Sequence, residues 1–370
     1  MHPYQLKRSI AALGIFCVTL AGCGGGSTAP STIPNPGVQS AAQAPVGNAA
    51  ASIAAVADNG VPLAKLKVSP GGSFTLKTIG KAHQFAPAPK QSAVRNTVVY
   101  PSDLSYYGGP VMASANVYNV YIDTTPAQVD NPTTFEKHYF GSKMVHVTDQ
   151  YVGTTASGRY VAAGGVEVSY PVYTALGDND VANILHAVGS YYAPTGSSTN
   201  IYNLFLAPGM NYCGSGSLFP AGGCNASITS PSPAFCAFHS ELQFGDIGEM
   251  LYTMEPFADV NYCAVNAYFP NAYLPQGQQA DSQYSLLSHE LTETITDPIP
   301  GTGWVDNNAP AVTGEIGDLC AYVSSQNVAL GGTDYFIQAE YSNKIHGCTT
   351  LSPTPPTPTP PPSPTPPPAS

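Results

Sequence analysis

The chain of 370 residues carries 12 basic and 23 acidic side chains, which gives a formal net charge of −11. The charges are unevenly distributed, because residues 98–350 hold 22 of the acidic side chains but only four of the basic ones. A surface of this charge repels nucleic acids and anionic lipids, so we exclude nucleic-acid binding as a function.

The N-terminus has the pattern of an export signal. Two basic residues precede an apolar run, residues 10–21, which is too short to span a bilayer and fits the core of a signal peptide. The run ends in the sequence LAGC, which resembles a bacterial lipobox. We therefore expect residues 1–22 to be a lipoprotein signal peptide and Cys23 to be lipidated. The protein would then be exported and anchored to an outer membrane or cell surface.

The segments that flank the acidic region differ from it in composition. Residues 23–62 are rich in Gly, Ser, Ala, Pro and Gln and predict a flexible tether. Residues 63–96 hold most of the lysines, and we interpret them as a basic linker or pro-segment, with an added edge of the core as the alternative. Residues 351–370 are a Pro/Thr/Ser-rich tail of polyproline II type. One acidic globular domain, residues 97–350, remains between them.

Within this domain, strand and helix patterns alternate loosely. Alternating β-branched and aromatic residues predict strands, one of them with a Gly-Gly bulge, and periodic apolar stretches preceded by Thr or Asp predict helices. In chain order we predict a strand at 113–123, a helix at 132–144, a strand at 159–173, a helix at 180–192 and strands at 201–208 and 258–270. This order favours an α/β or α+β fold with a single central sheet and long, disulfide-held loops.

Six cysteines follow the signal peptide and the lipobox. An even number in an exported chain indicates disulfides, and the absence of any C-x-x-C pair disfavours a cysteine zinc site. Among the many connectivities we favour the pairing of neighbours: Cys213 with Cys224, Cys236 with Cys263, and Cys320 with Cys348.

The stretch SHELTETITDP, residues 288–298, contains the most distinctive motif. His289 and Glu290 open it like the zinc-peptidase motif H-E-x-x-H, but Glu293 stands where that motif has its second histidine. We predict a helix over 281–297, which begins at Asp281 or Ser282 and stops before a proline. It should pack an apolar stripe on the core and turn a polar row toward a cleft, the stripe being Tyr284, Leu287, Leu291 and Ile295 and the row His289, Glu293 and Asp297.

This motif offers two metal ligands and a base. A histidine and a carboxylate four residues apart can share one cation, and Glu290 is offset to where a general base for a metal-bound water would lie. The downstream stretch GWVDNNAPAVTGEIGDLC adds Asp306 and two carboxylates that could provide a third ligand. We therefore predict a divalent-metal site, with zinc expected and calcium as the alternative, formed by His289, Glu293, Asp318 and Glu315. The competing interpretation is a metal-free helix with a His289–Glu293 pair.

Other histidines are weaker candidates. His239 and Glu241 lie near Cys236 and could enter the same site, although a histidine beside a disulfide is more often structural. His346 has a similar position beside Cys348 but less support.

At this point the sequence resembles a known family. SLLSHELTETITDP and GEIGDLC are similar to the C-terminal signature of the EXORDIUM-like, or phosphate-induced, proteins. GGPVMASANVYNVYID, residues 108–123, resembles the opening strand of that family, and CAFHSE, residues 236–241, its Cys-and-His segment. The resemblance implies no established enzymatic activity. It does imply that six side chains form one local group: His289, Glu290, Glu293, Asp297, Glu315 and Asp318.

These observations lead to two functional expectations. The first is a lipid-anchored cell-envelope protein that acts as a metal-dependent, peptidase-like hydrolase, with Glu290 as the base and a zincin-like arrangement around the motif helix. The second is a non-catalytic surface protein that binds wall glycan or a protein partner, with the motif braced or bound to calcium.

Overall fold

The computed structural model describes residues 50–80, 82–85, 102–171, 175–193, 197–215, 223–225, 234–260, 262–306, 308 and 314–351. The predicted signal peptide, the predicted lipidation site Cys23 and the first part of the predicted tether lie outside these residues. The predicted C-terminal tail also lies outside them, apart from its first residue.

The described residues form eighteen β-strands and four α-helices. The helices are α1 (Pro132–Phe140), α2 (Asp149–Val152), α3 (Asp178–Tyr192) and α4 (Gln278–Thr296). The strands are β1 (Ala50–Asp58), β2 (Val61–Lys67), β3 (Leu76–Ile79), β4 (His83–Phe85), β5 (Ser105–Tyr106), β6 (Ala115–Ile122), β7 (Tyr160–Ser169), β8 (Ala175–Leu176), β9 (Asn200–Leu206), β10 (Asn211–Gly214), β11 (Gly223–Cys224), β12 (Ala237–Phe244), β13 (Gly248–Glu255), β14 (Trp304–Val305), β15 (Ser325–Leu330), β16 (Thr333–Gln338), β17 (Glu340–Ser342) and β18 (Gly347–Thr349).

A mixed nine-stranded sheet forms the centre of the fold. Its order is β1-β2-β7-β6-β9-β13-β12-β3, and β4 also pairs with β12. The strands β2, β7, β6, β9 and β13 run parallel, whereas β1, β12, β3 and β4 pair antiparallel with their neighbours. The predicted mixed α/β fold around one central sheet is thus confirmed.

Both faces of the sheet are covered by helices. Successive residues of a strand point to opposite faces, and β9 illustrates this alternation. Tyr202, Leu204 and Leu206 share a core with α3, whereas Ile201 and Phe205 share a second core with α1 and α4. The motif helix α4 therefore lies on the same face as α1 and opposite α3.

The N-terminal segment 50–85 belongs to this sheet, which corrects the predicted end of the tether and agrees with the alternative of an added edge of the core for residues 63–85. β1 and the start of β2 replace the end of the predicted tether (23–62), and the rest of β2 with β3 and β4 falls in the predicted basic linker or pro-segment (63–96). In β2 the exposed Lys65 and Lys67 alternate with apolar residues that face the core. The lysines thus mark the solvent side of a strand, and the domain begins well before residue 97.

Most other predicted elements are confirmed with shifted ends. A bulge occurs beside the predicted Gly-Gly position, because the pairing of β6 with β7 skips Ala163 and leaves both glycines paired. The strand predicted at 258–270 is wrong: this stretch contains turns and a short 3-10 helix, Val265–Ala267, and its first N–H donates to the Ser282 hydroxyl at 2.9 Å. The hairpin of β12 and β13 was not predicted.

The three disulfides join Cys213 to Cys224, Cys236 to Cys263 and Cys320 to Cys348. The predicted pairing of neighbours is therefore confirmed. The third bond lies next to the predicted ligand Asp318, because Cys320 ends a 3-10 helix that starts at Asp318.

One transverse row of the central sheet is polar. Strand register places side chains at the same level across five neighbouring strands, in the order Asn119, Asn203, Thr253, His239 and His83. Asn119 and Asn203 donate to Glu136 of α1 at 3.0 and 2.8 Å, which places the row on the face covered by α1 and α4. The two histidines at the end of the row lead to the motif helix.

Candidate metal centre

Two aspartates fix the chain segments next to both ends of α4. The helix begins three residues before the predicted start, and Asp281 in its first turn accepts N–H groups from Gln276 and Phe336 at 3.0 and 2.9 Å. At the other end Asp297 accepts the N–H groups of residues 301–303. Asp297 therefore holds the turn after the helix, and among the described residues it belongs to no set of side chains with metal-ligand spacing.

The apolar stripe of α4 packs as predicted, but the opposite side does not face solvent. Tyr284, Leu287, Leu291 and Ile295 all belong to the core shared with α1. His289, Glu290 and Glu293 each have no solvent exposure. The polar row thus faces the protein interior rather than an open cleft.

The four predicted ligands lie together. The Nε2 atom of His289 is 3.0 Å from Oε1 of Glu293 and 3.8 Å from Oδ1 of Asp318. Oε1 of Glu293 also accepts the backbone N–H of Asp318 at 3.2 Å. Glu315 reaches the same region through contacts with two other histidines, and both downstream carboxylates are buried.

These two histidines, His83 and His239, complete the cluster. His83 contacts Glu315 through Nδ1 and Asp318 through Nε2, the latter at 2.6 Å. His239 lies with Nδ1 3.4 Å from Glu290 and 3.6 Å from Glu293, and with Nε2 3.5 Å from Glu315. Sequence reasoning missed His83 and gave His239 only as a weaker candidate. The Lys-Ala-His-Gln-Phe stretch has no motif, so only strand pairing brings His83 here.

Three overlapping sets of side chains have the spacing of metal ligands. In each set one nitrogen or oxygen per residue lies within 4.8 Å of the others. The sets are His83, Glu293 and Asp318; His239, Glu290 and Glu293; and His83, His239 and Glu315. All six side chains are buried, and the sets combine imidazole and carboxylate ligands that suit a divalent cation.

His289 belongs to none of these three sets, and its contact with Gln338 fixes which ring nitrogen carries the proton. The amide nitrogen of Gln338 donates to the Gly317 carbonyl at 2.7 Å and lies 3.1 Å from Nδ1 of His289. Because this nitrogen is a donor, Nδ1 accepts, and the proton of a neutral ring is on Nε2, which faces Glu293. Nε2 of His289 lies 3.0 Å from Oε1 of Glu293, and the ring leaves no room for a side chain at Gly317.

Burial and opposite charge shift the pKa values of this cluster in both directions. Burial raises the pKa of Glu290 and Glu315 well above the usual carboxyl range, and the attraction of His83 opposes this only in part. Burial would also raise the pKa of Glu293, but His289 and His83 lower it well below that range. Burial disfavours the charged form of His83, yet the carboxylates of Glu315 and Asp318 raise its pKa.

Several polar atoms of the cluster have no hydrogen-bond partner. These fully buried atoms are Nε2 of His289, Oε1 of Glu290, Oε2 of Glu293 and Oε2 of Glu315. A buried carboxylate oxygen without a partner is costly, on the order of a few kcal/mol, unless a cation or proton satisfies it. The residues therefore fit a bound divalent metal.

A solvent-connected recess approaches the cluster. Its walls include Phe85, Leu286, Tyr322 and Gln338. Phe85 packs edge-on against the His289 ring with 4.4 Å between centroids, and Gln338 contacts the same ring. Two side chains thus separate the recess from the histidine of the motif helix.

The remaining sequence candidates lie elsewhere. Asp306 accepts hydrogen bonds from the Ser102 hydroxyl and the Asn308 N–H, so it holds its own loop. Glu241 is on the same face of β12 as His239 but belongs to none of the sets with ligand spacing among the described residues. His346 is exposed and pairs with Asp103 at 2.9 Å.

No protein-family model, curated protein or solved structure matches this chain. Within the described part of the chain, no helix has the length and apolarity needed to cross a membrane.

Proposed function

We propose that this protein is an exported, lipid-anchored hydrolase of the cell envelope that uses a divalent cation held beneath α4. The observation that carries this proposal is the buried cluster of His83, His239 and four carboxylates, in which several ligand oxygens lack any other partner. A cation is the partner that such a set of imidazole and carboxylate groups favours.

The histidines favour zinc over calcium. Calcium binds oxygen ligands almost exclusively, whereas zinc accepts imidazole nitrogen and carboxylate oxygen together. Because each of the three sets contains at least one histidine, zinc remains the first choice and calcium the alternative.

Glu290 is the residue we assign to proton transfer. The set His83, Glu293 and Asp318 supplies three ligands for a cation without using Glu290. Its Oε1 atom has no partner, and burial raises its pKa well above the usual carboxyl range. A cation in this set would activate water for attack on an amide carbonyl, which is the peptidase-type reaction.

Three features support the remaining parts of the proposal. The disulfides are typical of an oxidising compartment, which agrees with the lipobox-like sequence before Cys23. The motif helix α4 follows β13 in the chain and packs against β12 and β13. This packing of the helix on the sheet agrees with a zincin-like arrangement. Placement in the EXORDIUM-like family rests on the quoted sequence motifs alone.

A non-catalytic role is the second candidate, and burial favours it. The side chains of Glu290, Glu293, Glu315 and His239 have no solvent exposure, as expected for a structural metal site closed to substrate. In that case the cation would brace the segment 314–320 against α4, and the protein would act through wall glycan or protein contacts.

Glu290→Gln separates the two functions. We expect the variant to fold and to keep the cation bound by His83, Glu293 and Asp318 but to hydrolyse labelled casein 10²- to 10⁴-fold more slowly, because the base is lost. The control is Glu249→Gln, the same change on β13 outside the cluster, which should retain full activity. Metal-loaded wild type without amide hydrolysis, together with a lower melting temperature after chelation, would favour the structural role.

A further inference from the structure

The ligand groups of the centre form three sets of three rather than one set of six. A single cation binds ligand atoms at about 2 Å, so all of its ligands must converge on one point. Here the sets His83–Glu293–Asp318 and His239–Glu290–Glu293 share only Glu293. They therefore define two neighbouring positions, and the third set, His83, His239 and Glu315, takes one histidine from each.

Glu293 faces both positions. Its Oε1 atom accepts the Asp318 N–H at 3.2 Å, and its Oε2 atom lies 3.6 Å from Nδ1 of His239 and has no hydrogen-bond partner. One carboxylate whose two oxygens point to different ligand sets has the geometry of a bridging ligand. The Oε2 atom of Glu315, which also has no hydrogen-bond partner, lies 3.5 Å from Nε2 of His239, and Glu290 contacts Nδ1 of the same histidine through its Oε2 atom at 3.4 Å.

With all four carboxylates ionised, the charge balance accommodates two divalent cations. Four carboxylates lie in this cluster, and among the described residues none forms an ion pair with a lysine or arginine. One divalent cation would offset two of the four negative charges, and a second would offset the rest. Burying uncompensated charge is strongly unfavourable, so both positions should attract cations.

We propose that the centre binds two divalent cations, one at His83, Glu293 and Asp318 and one at His239, Glu290 and Glu293, with Glu293 as the bridge. Glu315 contacts both His83 and His239 and so lies between the two positions. This inference rests on the proposed function, since it adds a second cation to the same centre. Glu290 would bind the second cation through Oε2, which leaves its Oε1 atom for proton transfer.

The test is metal stoichiometry on the whole purified protein. Protein stripped with a chelator is titrated with Zn²⁺ by calorimetry, and the bound zinc is counted by elemental analysis after gel filtration. We expect two zinc ions per chain in the wild type and one in His239→Ala. The control His346→Ala should also bind two, because the His346 side chain is exposed and pairs with Asp103. One ion per chain in the wild type would overturn the second site while leaving the proposed function intact.

A second measurement does not depend on the folding of any variant. Wild-type protein loaded with Mn²⁺ should show the electron-paramagnetic-resonance spectrum of two spin-coupled ions, because a bridging carboxylate holds the two positions close together. A spectrum of isolated Mn²⁺ at saturation would overturn the inference. Absence of bound Zn²⁺ and Mn²⁺ altogether would overturn the metal-dependent function as well.

Discussion

Glu136 links the polar row of the sheet to α1 and carries a shifted pKa. It has no solvent exposure and accepts hydrogen bonds from Asn119 and Asn203. Burial raises its pKa to about 8, although the two hydrogen bonds oppose the shift. A carboxyl group whose pKa is raised in the folded state makes its full contribution to stability at pH values below its ordinary pKa, which is near 4.5. This contribution is lost as the pH rises toward 8.

We therefore predict that Glu136→Gln flattens the dependence of stability on pH. Between pH 5 and pH 8, metal-free wild type should lose more free energy of unfolding than the variant, by a difference on the order of 3–5 kcal/mol. Urea unfolding of both proteins with a chelator present measures this. Equal losses in the two proteins would show that Glu136 does not ionise in the folded state over this range.

At the same scale, some site residues were predictable and others were not. The i,i+4 spacing of His289 and Glu293 and the short distance in sequence to Asp318 were sufficient to predict that they lie together. His83 is more than 200 residues away along the chain and has no motif of its own. Gln338, which sets the tautomer of His289, carries no sequence signal of metal chemistry either.

At the scale of elements, periodicity identifies strands but does not give their partners. The asparagines in VYNVY and IYNLF interrupt otherwise apolar strands, which signals a polar position on a buried face. Only the register of β6, β9, β13, β12 and β4 aligns these positions into one row. The strand wrongly predicted at 258–270 has β-forming residues, but the Cys236–Cys263 bond and the turn at Val260 override that preference.

The Cys320–Cys348 disulfide holds the element that presents Asp318. We predict that replacing both cysteines by alanine lowers the free energy of unfolding by about 2–4 kcal/mol and weakens zinc binding roughly tenfold, because the short 3-10 helix loses its anchor. Thermal unfolding and zinc calorimetry measure the two effects.

The matched control is the double replacement of Cys213 and Cys224, which joins β10 to β11 away from the ligand sets. It should destabilise the protein without changing zinc affinity. If both pairs of replacements weaken zinc binding equally, the effect is general loss of stability rather than loss of the Asp318 anchor.

At the scale of the whole molecule, the acidic character is partly internal. Ten of the 22 acidic side chains after residue 97 are buried, namely Glu136, Glu255, Asp281, Glu290, Glu293, Asp297, Asp306, Glu315, Asp318 and Glu340. The formal charge therefore overstates the negative charge of the surface. A count of residue types cannot separate acidic side chains on the surface from acidic side chains in the interior. Here four of the ten buried ones belong to the candidate metal centre.

This internal charge predicts how metal and pH together control stability. Without metal, Glu290, Glu315 and Glu340 have pKa values raised by burial, and His83 has a pKa raised by its carboxylate partners against the effect of burial. Groups with raised pKa values lose their stabilising contribution as pH increases. Glu293, whose pKa is lowered, keeps its contribution over the whole range above its ordinary pKa.

The metal-free protein should therefore become less stable from pH 5.5 to pH 8, whereas the zinc-bound protein should not. Cations bind the deprotonated ligands, so protons compete with zinc at pH 5.5 and much less at pH 8. The gain in melting temperature on adding zinc should consequently be larger at pH 8 than at pH 5.5, by about 5 °C or more for a stabilisation of a few kcal/mol. Scanning calorimetry at both pH values, with zinc or with a chelator, measures this difference. If the metal-free protein instead gains stability as the pH rises, the negative charge of these buried carboxylates must be balanced by something other than protons or metal.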